Sequence, residues 1–190
     1  MQESPARLRD PALKHKVENA TKKLRIFSYS NLENYLKKQQ WRSADEETYR
    51  ILIRLVNKKD GESFDKFDFP KIPLDDFKII DWLWRRHSSN KFGFEIQNKI
   101  YIDQGGNRRS LFKERIINKF GDKMLWRKDK KWIKYQDIDY SSDLLSSDQI
   151  PQGYLPIAAI GRVGNKDSIS MRWVSVIERV MYLASLEIFV

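Results

Sequence analysis

Six tryptophans, eight tyrosines and ten phenylalanines, with no cysteine anywhere in 190 residues, set the terms on which this chain can fold. So many large rings must be buried, which a disordered chain does not achieve. Without a thiol, that burial has to be held by packing and hydrogen bonds. The missing cysteine also removes disulfide frameworks, thiolate zinc sites, a cysteine nucleophile and thioether-linked haem or bilin. The length is that of one domain. We expect a domain over 28–190, preceded by a basic arm or short helix over 1–27, where Pro5 and Pro11 interrupt and Val17, Ala20 and Leu24 keep helical spacing. No run approaches about 18 apolar residues, and the N-terminus lacks the apolar core of a secretory signal, so a soluble intracellular protein is expected.

The apolar pattern is mostly helical. Ser30 with Glu33, and Ser43 with Glu46, have capping-box spacing. The first pair opens a short helix through Leu32, Tyr35 and Leu36 that ends near Trp41. The second opens one carrying Ala44, Thr48, Ile51, Leu52 and Leu55, and the two are expected to form an antiparallel hairpin. Residues 57–73 read as a loop with aromatic anchors. Asp75 and Asp76 favour a helix start, with Leu74, Phe77, Ile80, Asp81 and Trp84 on one face. A carboxylate on that face needs a partner, and Arg85 stands four residues on. Residues 91–101 fit two patterns: Phe92, Phe94 and Ile96 alternate like a strand, whereas Phe92, Ile96 and Ile100 repeat like a helix. Residues 111–120 read as a helix terminated by Gly121. Residues 124–140 read as a short hairpin turning near Asp129-Lys130, or as an irregular loop. A long loop to about 168 precedes a C-terminal helix from Ser170 bearing Trp173, Ile177, Val180, Met181 and Ala184.

The net charge of +10 points to anionic partners: nucleic acid, an acidic membrane surface met peripherally, or a carboxylate- or phosphate-bearing ligand. Scattered lysine that merely keeps the surface soluble explains the same charge. Catalytic patterns are missing: His15 and His87 have no spaced partners, and no nucleophile elbow, Walker loop or dinucleotide fingerprint occurs. The chain reads as a binding module and not as an enzyme.

Residues 41–52 (WRSADEETYRIL) carry Trp-x-x-Ala-Asp-x-x-Thr. Residues 72–101 carry Pro73, Ile80-Asp81, Leu83-Trp84 and Phe92-Gly93-Phe94 followed by Gln97. Residues 120–140 and then Pro151-Gln152-Gly153-Tyr154-Leu155-Pro156 follow in order. Together, from about 30 to 187, these resemble the Genomes-Uncoupled-Four family of tetrapyrrole-binding domains. Departures occur where Gly153-Tyr154-Leu155-Pro156 replaces Gly-His-Leu-Pro and where Met124-Leu125-Trp126 replaces Val-Gly-Trp. Pro73-Leu74-Asp75-Asp76-Phe77 alters a Pro-Cys/Thr-Asp-Leu pattern, and the family's terminal cysteine has no counterpart.

The resemblance implies a mostly α domain with a cupped-hand groove that binds protoporphyrin IX and its magnesium complex without catalysis. It also implies stimulation of magnesium chelatase, through that enzyme's large porphyrin-binding subunit, in chlorophyll synthesis. The setting would be the cytoplasm of a photosynthetic bacterium or the plastid stroma. On this reading Tyr154, Leu155, Ile157, Ile160, Arg162 and Trp173 form the mobile side of the groove, and Phe92, Phe94 and Gln97 the opposite wall. Burying roughly 300 Å² of porphyrin face at about 25 cal/mol/Å² contributes about 7–8 kcal/mol before association costs. An exposed ion pair to a propionate adds only about 0–1 kcal/mol, so the apolar face dominates.

Blander roles compete for the same residues. Phe92 and Phe94 suit a core, Trp41, Trp84 and Trp132 suit packing, and Asp45 and Asp81 suit bracing between helices. Arg162 suits a solvated loop. Two other functions stay open: a nucleic-acid module reading through Lys22-Lys23-Leu24-Arg25, Trp84-Arg85-Arg86-His87 and Arg127-Lys128-Asp129-Lys130-Lys131-Trp132, and an adaptor on the same fold that has lost its porphyrin.

Overall fold

Tyr29, Leu32 and Leu36 fall on one side of a helix and are all buried, which docks the first element among the described residues, α1 (residues 29–37). A computed structural model describes residues 29–157, except 63, 65–66, 69–70, 108 and 110–112. A tight turn with Gln39 at φ +54° leads straight into α2 (Trp41–Leu55). Both capping-box assignments are displaced. Ser30 lies inside α1, and Ser43 lies in the first turn of α2, whose N-cap is Gln40 without a side-chain cap. Tertiary burial of Trp41 and Ala44 takes the helix three residues further back than the serine signal.

α3 (Leu74–His87) starts behind Pro73 with Asp75 and Asp76 in its first turn, as the charge pattern predicts. The ambiguous stretch resolves as helix: α4 (Phe94–Asp103) follows Gly93, and the strand alternative fails. α5 (Glu114–Lys123) runs through Gly121 instead of stopping there. The reason is packing, because a Cβ on Gly121 would lie 2.4 Å from the Trp132 ring. That ring belongs to a two-stranded antiparallel hairpin, β1 (Arg127–Lys128) and β2 (Lys131–Trp132), turning at Asp129-Lys130 as expected. A 3-10 turn (Tyr135–Asp137) and a short helix α6 (Ser142–Ser146) interrupt what reads as loop in the sequence. The N-terminal arm, the end of the long loop and the C-terminal helix lie outside the described residues.

Many of the buried rings pack on one another. Trp41 stacks on Trp84 with centroids 6.1 Å apart and meets the edge of Phe92 at 5.3 Å, while Phe77 stacks on Phe94 at 4.7 Å. Phe120 joins Tyr101 at 6.0 Å and Trp126 at 5.5 Å, both edge-on. Such pairs contribute about 0.5–1.5 kcal/mol each beyond the area they bury. The polar tip of the buried Trp84 ring is answered in place: its indole donates to Thr48 Oγ1 at 2.9 Å.

One contact between α1 and α3 titrates. His87 Nε2 is buried 3.7 Å from Glu33 Oε1, too far for a hydrogen bond, with Lys37 and Arg86 also facing it. Burial holds the imidazole below its ordinary value, ahead of the opposing pull of Glu33. As pH falls below about 6.5 the unfolded chain therefore takes up the proton before the folded one, and stability drops. We expect the melting temperature to fall between about pH 7 and about pH 5, and to fall less in His87→Leu; equal declines in the two proteins would refute the assignment.

Candidate functional site

Residues 151–157 carry a glycine at positive φ, two prolines and a run of buried side chains, and six of their backbone groups are bound by other elements. Gly153 N donates to Lys91 O at 2.7 Å, and Gly93 N donates to Leu155 O at 3.0 Å. The Gln97 amide of α4, fully buried, donates to both Gly153 O and Pro156 O at 2.9 Å. The Trp126 indole donates to Tyr154 O at 3.1 Å. Ile157 N donates to Asp45 Oδ1 at 2.8 Å. Gly153 is at φ +77° and the Leu155–Pro156 peptide is cis. This segment is a stem latched to α2, α4 and the start of the hairpin, from which the chain runs on towards Ile160, Arg162 and Trp173.

Each latch depends on a local feature of the chain. Asp45 stands in the first turns of α2, fully buried, and its second oxygen accepts from the Tyr140 hydroxyl. Burial beside that carboxylate drives the Tyr140 phenol far above its ordinary value, so it stays protonated and donates to Asp45. Arg42 lies over the Tyr140 ring, 4.5 Å from its centroid, and closes the outer side. Burial likewise pushes the Tyr154 phenol up to about 12.

A second carboxylate holds the start of α4 beside Gly93. Asp81, on the buried face of α3, accepts from Glu95 N at 2.9 Å and from Arg85 Nε at 2.8 Å. Burial pushes the Asp81 carboxyl above its ordinary range, against the pull of those two donors. Arg85 also reaches Glu95 at 3.0 Å, and Glu95 reaches Lys99 at 2.7 Å, so the start of α4 is clamped through charge.

The sequence-predicted residues divide accordingly. Phe92, Phe94, Gln97, Tyr154, Leu155 and Ile157 come together and are all buried. Phe92 and Phe94 pack into the ring cluster, and Gln97 grips the stem. Ile160, Arg162 and Trp173 lie outside the described residues. Sequence reasoning missed Tyr140, Trp126 and Gly93 as parts of this assembly, and it took Asp45 only as a brace between helices. The signal that could have found Asp45 is a carboxylate in the Ala44-Asp45 pair on the apolar side of a helix.

A hollow of about 560 Å³ lies at the α1–α2 turn, lined by Lys38, Arg42, Ser43, Asp139 and Tyr140 among others. It is polar and is not the apolar groove that the resemblance implies. Of the two basic-aromatic runs among the described residues, Trp84 of the first is fully buried, which closes base stacking on that ring. Trp132 of the second is half-buried, packed on Gly121 with the Arg127 guanidinium 5.7 Å from its centroid. Among the described residues no group of three or more histidine, aspartate or glutamate side chains is placed to hold a metal. No helix among them is long and apolar enough to cross a membrane.

A family model described as GUN4-like matches residues 22–170. The chloroplastic tetrapyrrole-binding protein of Arabidopsis thaliana is 31% identical over 133 residues, covering 66% of this chain and 46% of that protein. A Ycf53-like protein of Synechocystis is 28% identical over 135 residues, covering 69% and 51%. The chain thus spans about half the length of the curated relatives it matches. Among solved structures, ligand-free GUN4 of Arabidopsis thaliana superposes with a TM-score of 0.57 at 28% identity, covering 80% of this chain and 93% of that one. GUN4 from Chlamydomonas reinhardtii, at 23% identity and a TM-score of 0.53 over 81% and 87% of the two chains, shares the fold. The chain belongs to the GUN4-like family.

Proposed function

We propose that this GUN4-like protein binds a tetrapyrrole, protoporphyrin IX or its magnesium complex, as a non-catalytic regulator or carrier. It acts on magnesium chelatase through that enzyme's large porphyrin-binding subunit, in a plastid or a photosynthetic bacterium. The observation that carries the reading is the family match over 22–170, which takes in the latched stem together with Ile160 and Arg162. A relative matched across much of that span is named for tetrapyrrole binding.

Within this reading the two groups of site residues divide the work. Ile160, Arg162 and Trp173 contact the ligand, with Arg162 on a propionate. Phe92, Phe94, Gln97, Tyr154, Leu155 and Ile157 are the wall and stem against which the loop is set. A rigid anchor lowers the ordering cost that a free loop would add to binding. The domain begins near residue 28, and removing 1–27 leaves binding intact.

Titration with protoporphyrin IX and its magnesium form, followed by tryptophan quenching and the Soret band, tests this. Saturable binding near micromolar, about −8 kcal/mol, is expected, with little change between low and high salt. Arg162→Ala should weaken it by up to about fivefold, the range of one exposed ion pair. Absent binding, or binding that vanishes with salt, overturns the proposal.

A further inference from the structure

The polar hollow at the α1–α2 turn is lined by more positive charge than its own walls neutralise. Lys38 comes from the turn and Arg42 from the first turn of α2, against a single acid, Asp139. Both cations are exposed, and neither forms an ion pair among the described residues. Arg42 is nevertheless held in place: its guanidinium lies over the Tyr140 ring at 4.5 Å, and Nη2 reaches Ile138 O at 3.4 Å. Asp139 is engaged by its own loop, where Ser141 N donates to Oδ1 at 2.8 Å. Ser43 and Ser141 add hydroxyl groups to the wall. With about 560 Å³ of space and a net charge of +1, the hollow favours a carboxylate or phosphate over an apolar or cationic group.

Its place in the fold chooses between those two anions. Tyr140 forms part of the wall and donates through its hydroxyl to Asp45, whose other oxygen accepts Ile157 N at 2.8 Å. One carboxylate therefore separates the hollow from the point where the chain leaves the stem towards Ile160 and Arg162. The five residues from Ile157 to Arg162 span at most about 18 Å. A ligand held by that loop has its acidic edge within reach of the hollow. A free phosphate would gain nothing from this position, whereas an apolar macrocycle with two carboxylates needs an apolar wall that ends in a cationic recess.

Protoporphyrin IX carries two propionates, and Arg162 meets one of them in the proposed function. We propose that the hollow is the subsite for the second propionate, with Lys38 and Arg42 as its cations and Ser43 as a hydroxyl donor. The inference rests on the proposal that this chain binds a tetrapyrrole.

The test titrates the full chain with protoporphyrin IX and with its dimethyl ester, which keeps the macrocycle and removes both charges. Lys38→Gln should weaken binding of the free acid by up to about fivefold, the range of one exposed ion pair, and leave the ester unchanged. Asp139→Asn should act the other way and tighten the free acid by about two- to fivefold. It removes the one negative charge, while the amide oxygen still accepts from Ser141 N. Arg42 stays in place in both variants, because its guanidinium also covers Tyr140 beside Asp45. The melting temperature without porphyrin should not change in either, since both are exposed positions outside the core. Porphyrin binding that neither variant alters, or a change shared equally by acid and ester, overturns the subsite and leaves tetrapyrrole binding standing. Inorganic phosphate that binds through Lys38 while porphyrin ignores that residue assigns the hollow to a separate anion and also overturns it. A wild-type chain that binds neither porphyrin overturns the tetrapyrrole reading and the subsite with it.

Discussion

Asp45→Ala is expected to lower the melting temperature by roughly 5–20 °C and to weaken porphyrin binding with it. One fully buried carboxylate accepts the backbone N–H of Ile157 and the hydroxyl of Tyr140. Alanine leaves both donors buried without an acceptor. Each such group costs about 1–3 kcal/mol, and at this chain length each kcal/mol shifts the midpoint by about 2–4 °C. Asp45→Asn should fall between the two proteins, since its amide oxygen can accept from one donor while its NH2 faces the other. Tyr140→Phe removes a donor and leaves the Ile157 contact, so its loss should be the smallest. A thermal melt of the four proteins, followed by the porphyrin titration, reads both effects. The ligand effect follows because Ile157, the last described residue, is held by this contact only three positions before Ile160 in the sequence. If Asp45→Ala melts like the parent, the carboxylate does not hold the stem.

Helix positions were legible from the chain because the apolar spacing in α2, α3 and α5 is carried by residues that are in fact buried, such as Leu52, Ile80 and Phe120. Boundaries were less so. Ser30 and Ser43 have the spacing of caps, but Tyr29 and Trp41 extend the helices past them by burying large rings, and packing outweighs a cap of about 1 kcal/mol. Gly121 has the look of a terminator, and only the Trp132 ring, eleven residues on and invisible to local pattern, explains why glycine sits inside a helix. The strand-or-helix ambiguity at 91–101 could not be settled locally either. Phe92 lies outside α4 altogether, packed on Trp41, so its apparent place in both periods was accidental.

Of the candidate site, the chain showed which side chains would be apolar or buried but not how they are joined. Phe92, Phe94, Gln97, Tyr154, Leu155 and Ile157 are all buried, and Gln97 meets the 153–156 segment more than fifty residues away. What spacing could not convey is that their contacts run through backbone atoms. Gln97 grips two carbonyls and Gly93 one, and backbone partners leave no signature in side-chain type. The departure at Met124-Leu125-Trp126 is visible in the sequence as a leucine where the family pattern has glycine. Its meaning depends on a positive φ and an outward face that no sequence displays.

Gly93→Ala is the second change with a large expected effect, and it tests the clamp from the other side. At φ +140° the residue occupies a region that glycine alone enters without strain. A Cβ there would lie 2.9 Å from Asp81 Oδ1 and 2.9 Å from Arg85 Cγ. Neither neighbour is free to yield, since that same oxygen accepts from Glu95 N and Arg85 is tied to Asp81 through Nε. Backbone strain of about 1–3 kcal/mol and overpacking of about 1–3 kcal/mol together predict a loss of about 2–6 kcal/mol. Gly61→Ala supplies the comparison: its φ is +94° and nothing lies within 4 Å of an added Cβ, so it bears strain without collision. Gly93→Ala should therefore melt well below Gly61→Ala, and it alone should weaken porphyrin binding, because Gly93 N also holds Leu155 O. Equal losses in the two variants would reduce the effect to backbone strain and remove the Asp81–Arg85 clamp from the account of how the stem is set.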